Sequence, residues 1–148
     1  KTYSNNNKML VRNPTSTRPW QHVLEVLSGY INLAEHLNKN KNIHGEAFNF
    51  GPNKKNYTVK EVLNKISVFW KEFNWKIQKK NNKFFENTLL NLDSKKSKKI
   101  LRWKTKLDFS KTIRMTIDWY INYFRFKGKA DKVLNKSIEQ IESYKNLK

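Results

Sequence analysis

The stretch of sequence that decides the fold is residues 11–25, VRNPTSTRPWQHVLE. It joins an apolar segment at 8–12, which predicts a short strand, to the first turn of a predicted helix. Asn13-Pro14 ends the strand, because proline has no N–H for a strand ladder and restricts the residue before it. The apolar residues that follow recur at the spacing of one helix face: Leu24, Leu27, Ile31, Ala34 and Leu37.

Further short strands and helices are predicted along the rest of the chain. Strands are expected at 47–50, 75–78 and 89–92, and the first of them is closed by Gly51-Pro52. Thr58 to Glu61 has the form of a capping box and opens the second helix. This alternation of short strands with helices, with few hairpin turns, predicts a mixed α/β fold.

The C-terminal half of the sequence predicts three more helices. Asp93 is expected to cap a short one, and Asp108 is a good N-cap for the most strongly patterned helix. The last helix is predicted to begin at Ser137, with Gln140 completing a second capping box. The apolar face of the helix after Asp108 comprises Ile113, Ile117, Tyr120, Ile121 and Phe124.

The length of 148 residues suits one domain or one lobe of a larger enzyme. A chain of this length can bury about 70% of its unfolded surface, so a substantial core is possible. We expect residues 1–148 to form a single lobe. The first residue is Lys1 and not Met, from which we expect the natural protein to extend upstream.

The formal net charge of +19 has two explanations at this stage. A strongly basic chain can bind nucleic acid or another polyanion through counterion release, and this is the alternative function. However, 26 of the 31 basic residues are Lys and only 5 are Arg, and there are 20 Asn. Lys and Asn codons are rich in A, so a biased base composition accounts for both excesses. In either case the surface is expected to attract anions.

Several classes of site are excluded by what the sequence lacks. The chain has no Cys, which excludes disulfides and thiolate metal sites. Its three His, at 22, 36 and 44, lack ligand spacing, and its four Gly, at 29, 45, 51 and 128, form no phosphate-binding loop. No apolar run approaches the roughly 20 residues of a membrane span, and no signal peptide is visible. We therefore expect a cytoplasmic protein with no membrane partner and no metal.

Residues 11–25 closely resemble the CDP-glucose 4,6-dehydratases, which belong to the extended short-chain dehydrogenase/reductase superfamily. The family pattern is Arg-Asn-Pro, three variable residues, and then Arg-Pro-Trp-Gln-His-Val-Leu-Glu, as at 12–25 here. Arg102 departs from the pattern, because the family usually has Gly before Trp103, and a positive φ is expected there. Further blocks match in order: AFNFGP at 47–52, LDSK at 92–95, ILRW at 100–103, TIDWY at 116–120 and QIESY at 140–144.

The resemblance implies that the chain is the C-terminal, sugar-nucleotide-binding portion of such an enzyme, without the Rossmann half. It implies that the complete enzyme is a homodimer that converts CDP-glucose to CDP-4-keto-6-deoxyglucose with NAD, and that the missing half binds NAD and supplies the catalytic Tyr and Lys. Two Tyr-x-x-x-Lys spacings do occur, Tyr123 with Lys127 and Tyr144 with Lys148. Neither follows a nucleotide-binding strand–turn–helix, and such matches are expected by chance in a Lys-rich chain. No catalytic residue is therefore predicted within the chain. If the resemblance holds, the partner is a nucleotide sugar, and no nucleic-acid partner is predicted.

The resemblance also implies substrate-binding residues, each of which has a simpler structural interpretation. Arg18 is expected to contact the diphosphate, since its planar guanidinium matches phosphate oxygens in pairs; otherwise it is a surface Arg. Arg12 and Asn13 end a strand that lies along the base in related enzymes, or they are only solvated. Trp20 is a further candidate, although packing is the simpler role. Glu86 resembles an acidic position near the ribose.

Overall fold

In the computed structural model of the chain, the residues described are 8–52, 56–78 and 89–147. The helices in these ranges are α1 (Val23–Lys39), α2 (Val59–Phe69), α3 (Lys95–Ile100), α4 (Phe109–Arg125) and α5 (Ala130–Lys145). The strands are β1 (Met9–Val11), β2 (Thr17–Arg18), β3 (Tyr57–Thr58) and β4 (Trp75–Ile77), and a 3-10 turn follows α1 at Lys41–Ile43.

The strands form two separate pairs. β1 and β4 are parallel, with Met9 opposite Trp75, and the connection between them contains α1 and α2. β2 and β3 are antiparallel, with Thr17 opposite Thr58. The strands predicted at 8–12 and 75–78 are thus confirmed, and so is the predicted mixed α/β class of short strands alternating with helices.

The strands predicted at 47–50 and 89–92 are not found in the structure. Side chains occupy backbone groups that a neighbouring strand would otherwise bind. The Ser97 hydroxyl donates to the Asn49 carbonyl at 2.5 Å, and the Gly51 N–H donates to the Ser94 hydroxyl at 2.7 Å. These contacts fix 49–51 as a loop against the start of α3.

Two of the predicted helix starts are confirmed by their hydrogen bonds. The Thr58 hydroxyl accepts from the Glu61 N–H at 3.1 Å, and the Glu61 carboxylate accepts from the Thr58 N–H at 2.7 Å, which completes the capping box at α2. The Asp108 carboxylate accepts from the Lys111 N–H at 2.8 Å, at the start of α4. Most of the predicted α4 face is packed in the core, whereas Tyr120 is 46% exposed.

The start of α3 differs slightly from the prediction, and the start of α5 differs by two turns. Ser94, and not Asp93, is the N-cap of α3, although the Asp93 carboxylate accepts from the Lys95 N–H at 2.9 Å. α5 begins at Ala130, so Ser137 lies inside the helix. The predicted second capping box is therefore wrong.

Ser137 and Gln140 instead join α5 to α4. The Ser137 hydroxyl accepts from the Trp119 indole N–H at 3.0 Å, and the Gln140 amide donates to the Met115 carbonyl at 2.6 Å. Both side chains serve tertiary packing, which a local capping pattern does not distinguish from a helix start.

The buried apolar side chains form two clusters. One contains Ile43, Phe50, Leu101 and Trp103, and the other contains Val62, Trp70, Ile113 and Ile117. Arg102 lies between two residues of the first cluster and has a φ of 54°, as its place in the sequence pattern predicts. A left-handed φ costs a non-glycine residue about 1–2 kcal/mol, so the burial of its two neighbours holds it there.

The orientation of α1 corrects the predicted apolar face. Glu25 and Gly29 are the buried residues of this helix, whereas Leu27 and Ile31 are exposed. Gly29 permits the close approach, because a Cβ at this position would lie 2.4 Å from Cδ1 of Phe50. α1 thus packs inward through Glu25, Gly29 and the half-buried Leu33 and Leu37. Leu37 is therefore on the packed side as predicted, whereas Leu27, Ile31 and Ala34 of the predicted face are exposed.

Candidate functional site

The turn after β1 carries two of the predicted binding residues. Arg12 follows β1 directly and is exposed, and Asn13 is half-buried. The Ser16 N–H donates to the Asn13 carbonyl at 3.4 Å, which closes the turn. Arg12 and Asn13 therefore lie at the end of a strand, as predicted, at the surface of the described structure.

The first turn of α2 holds this loop in place. The N–H of Val59 donates to the Ser16 carbonyl at 2.9 Å, and the N–H of Lys60 donates to the Pro14 carbonyl at 2.9 Å. The first N–H groups of a helix have no partner within the helix, so the loop satisfies two of them. The backbone conformation between β1 and β2 is thereby coupled to α2.

Arg18 lies in β2, opposite Tyr57 of β3, and is half-buried. Its Nη1 donates to the Thr17 carbonyl at 2.7 Å, which holds the guanidinium against its own strand. Arg18 does not line either of the two cavities that adjoin residues 20–24. Arg18, the residue predicted to contact the diphosphate, thus has a fixed backbone and lies outside the linings of those two cavities.

Trp20 is fixed by a hydrogen bond and by packing. Its indole N–H donates to the Tyr57 carbonyl at 2.9 Å, and its ring packs against the cluster around Val62 and Ile113. The ring also lines a cavity of about 280 Å³. Trp20 is therefore both a packing residue and part of the wall of a cavity.

Gln21 lines both cavities and carries a buried polar atom. Its amide N donates to the Phe50 carbonyl at 2.7 Å, whereas its Oε1 is buried and has no hydrogen-bond partner among the described residues. If the amide N and O of Gln21 were exchanged, the amide oxygen would face the Phe50 carbonyl oxygen, and neither can donate a hydrogen bond. The atom without a partner is therefore Oε1. The larger cavity, of about 390 Å³, extends from Gln21 towards Trp119 of α4 and Ile141 of α5.

His22 acts as the N-cap of α1. Its Nδ1 accepts from the Leu24 N–H at 3.3 Å, so the ring proton lies on Nε2. Burial lowers the pKa of His22 and favours the neutral ring. These contacts give the residue an orienting role at the start of the helix.

Glu25 is 1% exposed and is the centre of a buried hydrogen-bond network. Its Oε1 accepts from the N–H of Lys106 at 2.8 Å and from the N–H of Leu107 at 2.6 Å. Its Oε2 accepts from the Tyr144 hydroxyl at 2.9 Å. One carboxylate therefore joins α1 to the segment before α4 and to the end of α5.

Ser28 extends this network by one turn of α1. Its hydroxyl donates to the Glu25 carbonyl at 2.8 Å and accepts from the Trp103 indole N–H at 3.1 Å. It also lies 3.1 Å from the Tyr144 hydroxyl oxygen. Burial is the main reason that the pKa of Tyr144 rises to about 12, and the neighbouring Glu25 carboxylate raises it further.

Four of the five predicted site residues lie on one segment of the chain, which is fixed to α2 and β3. Arg12 and Asn13 follow β1, whereas Arg18 lies in β2 and Trp20 lines a cavity. Their binding roles remain predictions. Glu86 lies outside the described residues. Sequence reasoning gave no role to Gln21, Glu25 or Tyr144. The available signal was a single carboxylate within the apolar run VLEVL, which suggests a buried and paired charge.

Neither a metal centre nor a dinucleotide site is found in the part of the chain that the structure describes. Within the described residues, no three His, Cys, Asp or Glu side chains are grouped to hold a metal ion. Separately, none of the described helices is long and apolar enough to cross a membrane. The four glycines do not fit NAD either. Gly29 and Gly51 pack against Phe50 and Leu92, whereas Gly45 and Gly128 lie in turns. None of them follows a strand and opens a helix around a pyrophosphate.

Comparison with known proteins identifies a relative over most of the chain. The CDP-glucose 4,6-dehydratase of Salmonella typhimurium is 33% identical over an alignment of 127 residues that covers 84% of this chain. The chain is thus similar to this dehydratase over most of its own length. It spans only 35% of that relative's length, which is consistent with the predicted C-terminal portion. No protein-family model matches the chain.

The buried network predicts that Glu25→Gln destabilises the protein. A neutral amide replaces three charge-assisted contacts and places an NH₂ group near the Tyr144 hydroxyl, so we expect the free energy of unfolding to fall by about 1.5–3 kcal/mol. Chemical denaturation measures this. Glu35→Gln, at an exposed position of the same helix, is the control and should change stability by less than about 0.5 kcal/mol. Equal effects of the two substitutions would contradict the network.

The raised pKa of Tyr144 predicts a change of stability with pH. The neutral hydroxyl stabilises the fold fully below pH 10, the ordinary pKa, and this contribution is lost as the pH rises towards about 12. Tyr144→Phe cannot ionise, so its deficit in unfolding free energy relative to wild type should shrink between pH 10 and 12. Tyr30→Phe, at a side chain 57% exposed, should show no such trend. A deficit that is constant with pH would exclude the buried hydroxyl as its source.

Proposed function

We propose that the chain is the substrate-binding portion of an NAD-dependent CDP-glucose 4,6-dehydratase that acts in the cytoplasm as a homodimer. The complete enzyme would convert CDP-glucose to CDP-4-keto-6-deoxyglucose, a precursor of deoxysugars. The observation that carries the proposal is the relationship to the Salmonella dehydratase over 84% of the chain. NAD and the groups that carry out the chemistry belong to the portion of the enzyme that this chain does not include.

In this proposal the segment from Arg12 to Trp20 binds the nucleotide part of the substrate. Arg18 contacts the diphosphate, because a guanidinium pairs with two phosphate oxygens and β2 fixes the backbone that carries it. Arg12 and Asn13 lie along the base, Trp20 forms a wall of the adjoining cavity, and Glu86 binds the ribose. Energy from these remote contacts would position the hexose against the cofactor.

The net charge of +19 supports the binding of an anionic substrate. It also supports the alternative, a basic module that binds nucleic acid or another polyanion. The two functions differ in salt dependence, since polyanion binding through counterion release weakens steeply with salt and is indifferent to the sugar. A titration with double-stranded DNA at two salt concentrations therefore separates them.

Arg18→Ala in the complete enzyme should weaken CDP-glucose binding by about 1.5–3 kcal/mol, the range for a hydrogen bond to a charged group. This is about a 10- to 150-fold increase in Kd. Calorimetric titration measures it. Arg125→Ala, at the exposed end of α4, is the control and should leave the Kd unchanged. An unchanged Kd for Arg18→Ala would remove the residue from the site.

The chain alone should not convert CDP-glucose, because the residues it contributes bind the substrate but do not react with it. The assay is incubation of the purified chain with CDP-glucose and NAD, followed by chromatography for the 4-keto product. Adding the nucleotide-binding portion of the enzyme should restore activity. Product formation by the chain alone would show that the assignment of roles is wrong.

A further inference from the structure

α1 carries an exposed apolar stripe on its outer side. The α1 stripe comprises Val23, Leu27, Tyr30, Ile31 and Ala34, whose spacings of four, three, one and three place them on one side of a helix. Val23 is 61% exposed, Leu27 45%, Tyr30 57% and Ile31 64%. A surface helix normally packs such a stripe against the core. Here the ring of Tyr30 makes an edge contact with Phe50 of the core, at 5.7 Å between centroids, but most of the stripe faces outward.

The orientation of α1 is fixed by the opposite face of the helix. Glu25 is held by three hydrogen bonds and Gly29 lies against Phe50, so the helix cannot rotate to bury the stripe without breaking both arrangements. At Val23 the stripe also meets the larger cavity, which extends between α4 and α5. The result is a continuous apolar surface of a size, on the order of several hundred Å², that marks interaction sites.

Basic residues are absent from this part of an otherwise very basic chain. Lys and Arg account for 31 of 148 residues, yet none occurs between Arg18 and Lys39. Charged residues are depleted from the buried centre of protein interfaces, because charge is costly to desolvate. A face of this protein that stays in contact with water would be expected to carry lysines, as the exposed side of α3 does.

We propose that the α1 stripe is the surface against which the nucleotide-binding portion of the complete enzyme packs. This inference rests on the proposed function for the identity of the partner. The chain spans 35% of the length of the Salmonella relative, so about two thirds of such an enzyme is available to cover the stripe. A second copy of the chain is a poorer occupant, since each copy carries a charge of +19.

Thiol labelling tests the proposal directly, because the chain has no cysteine of its own. Leu27→Cys places a thiol in the stripe, and Lys39→Cys places a control thiol at an exposed position of α1 that faces away from it. Each variant is labelled with a maleimide as the chain alone and as the chain joined to the nucleotide-binding portion of the Salmonella relative. Mass spectrometry of the labelled peptides gives the two rates.

We expect the labelling rate at Leu27→Cys to fall by about 100-fold in the joined protein, since a buried thiol reacts only through local opening. The rate at Lys39→Cys should stay the same within a few-fold. An undiminished rate at Leu27→Cys overturns the proposal. Protection that appears in the chain alone and increases with its concentration also overturns it, because a second copy then covers the stripe.

A second measurement on the chain alone keeps the test independent of how well the joined protein folds. Leu27→Lys together with Ile31→Lys should lose most of the binding of a dye that reports exposed apolar surface, whereas Glu35→Lys, with the same change in charge, should retain it. Equal dye binding by the unsubstituted chain and both variants would show that the stripe is not an exposed apolar surface and would overturn the proposal.

Turnover of CDP-glucose by the joined protein separates this inference from the proposed function. Protection of Leu27→Cys without turnover supports the docking surface and counts against the proposed reaction. Turnover without protection supports the reaction and overturns the docking surface.

Discussion

The buried carboxylate of Glu25 is the interaction on which the rest of the structure depends. It accepts hydrogen bonds from two consecutive N–H groups, those of Lys106 and Leu107, and from the Tyr144 hydroxyl, and so it ties two separate parts of the chain to α1. An ionised group that is 1% exposed is tolerated only when its oxygens are satisfied in this way. Removing any partner leaves part of a charge buried and uncompensated.

Two consequences of this contact connect the fold to the proposed function. The network fixes the start of α1, and the segment that carries Arg12, Arg18 and Trp20 leads directly into that start. The residues proposed to bind the substrate are therefore held at one end by α2 and at the other by the network around Glu25. The same network turns the α1 stripe outward, and this stripe is the surface that we propose the rest of the enzyme covers.

The sequence predicted those features that depend on local chemistry. The capping box at Thr58 and the N-cap at Asp108 are each determined by a few neighbouring residues, and both are present. The positive φ at Arg102 is also present, but its prediction came from the family pattern. The start of α5 was predicted wrongly because Ser137 and Gln140 make tertiary contacts that imitate a capping pattern. Local patterns cannot make that distinction.

The prediction of which side of α1 is buried was wrong for a related reason. Apolar periodicity identifies which side of a helix avoids water, but it does not say whether the covering surface belongs to the same chain. Here the fully buried residues of the inward side are Glu25 and Gly29, which a count of apolar residues leaves out, and Leu33 and Leu37 are only partly buried beside them. The binding roles predicted for Arg18 and Trp20 came from the family resemblance. The contacts that hold these two residues against Tyr57 of β3 became visible only in the structure.

Calorimetric titration of the complete enzyme with CDP-, UDP-, GDP- and dTDP-sugars tests most directly whether this chain forms the nucleotide-sugar site. The account predicts one saturable site that binds CDP-glucose at least about tenfold more tightly than the other nucleotide sugars, a difference of about 1.4 kcal/mol. Equal affinity for all four, or no binding of any of them, would contradict it.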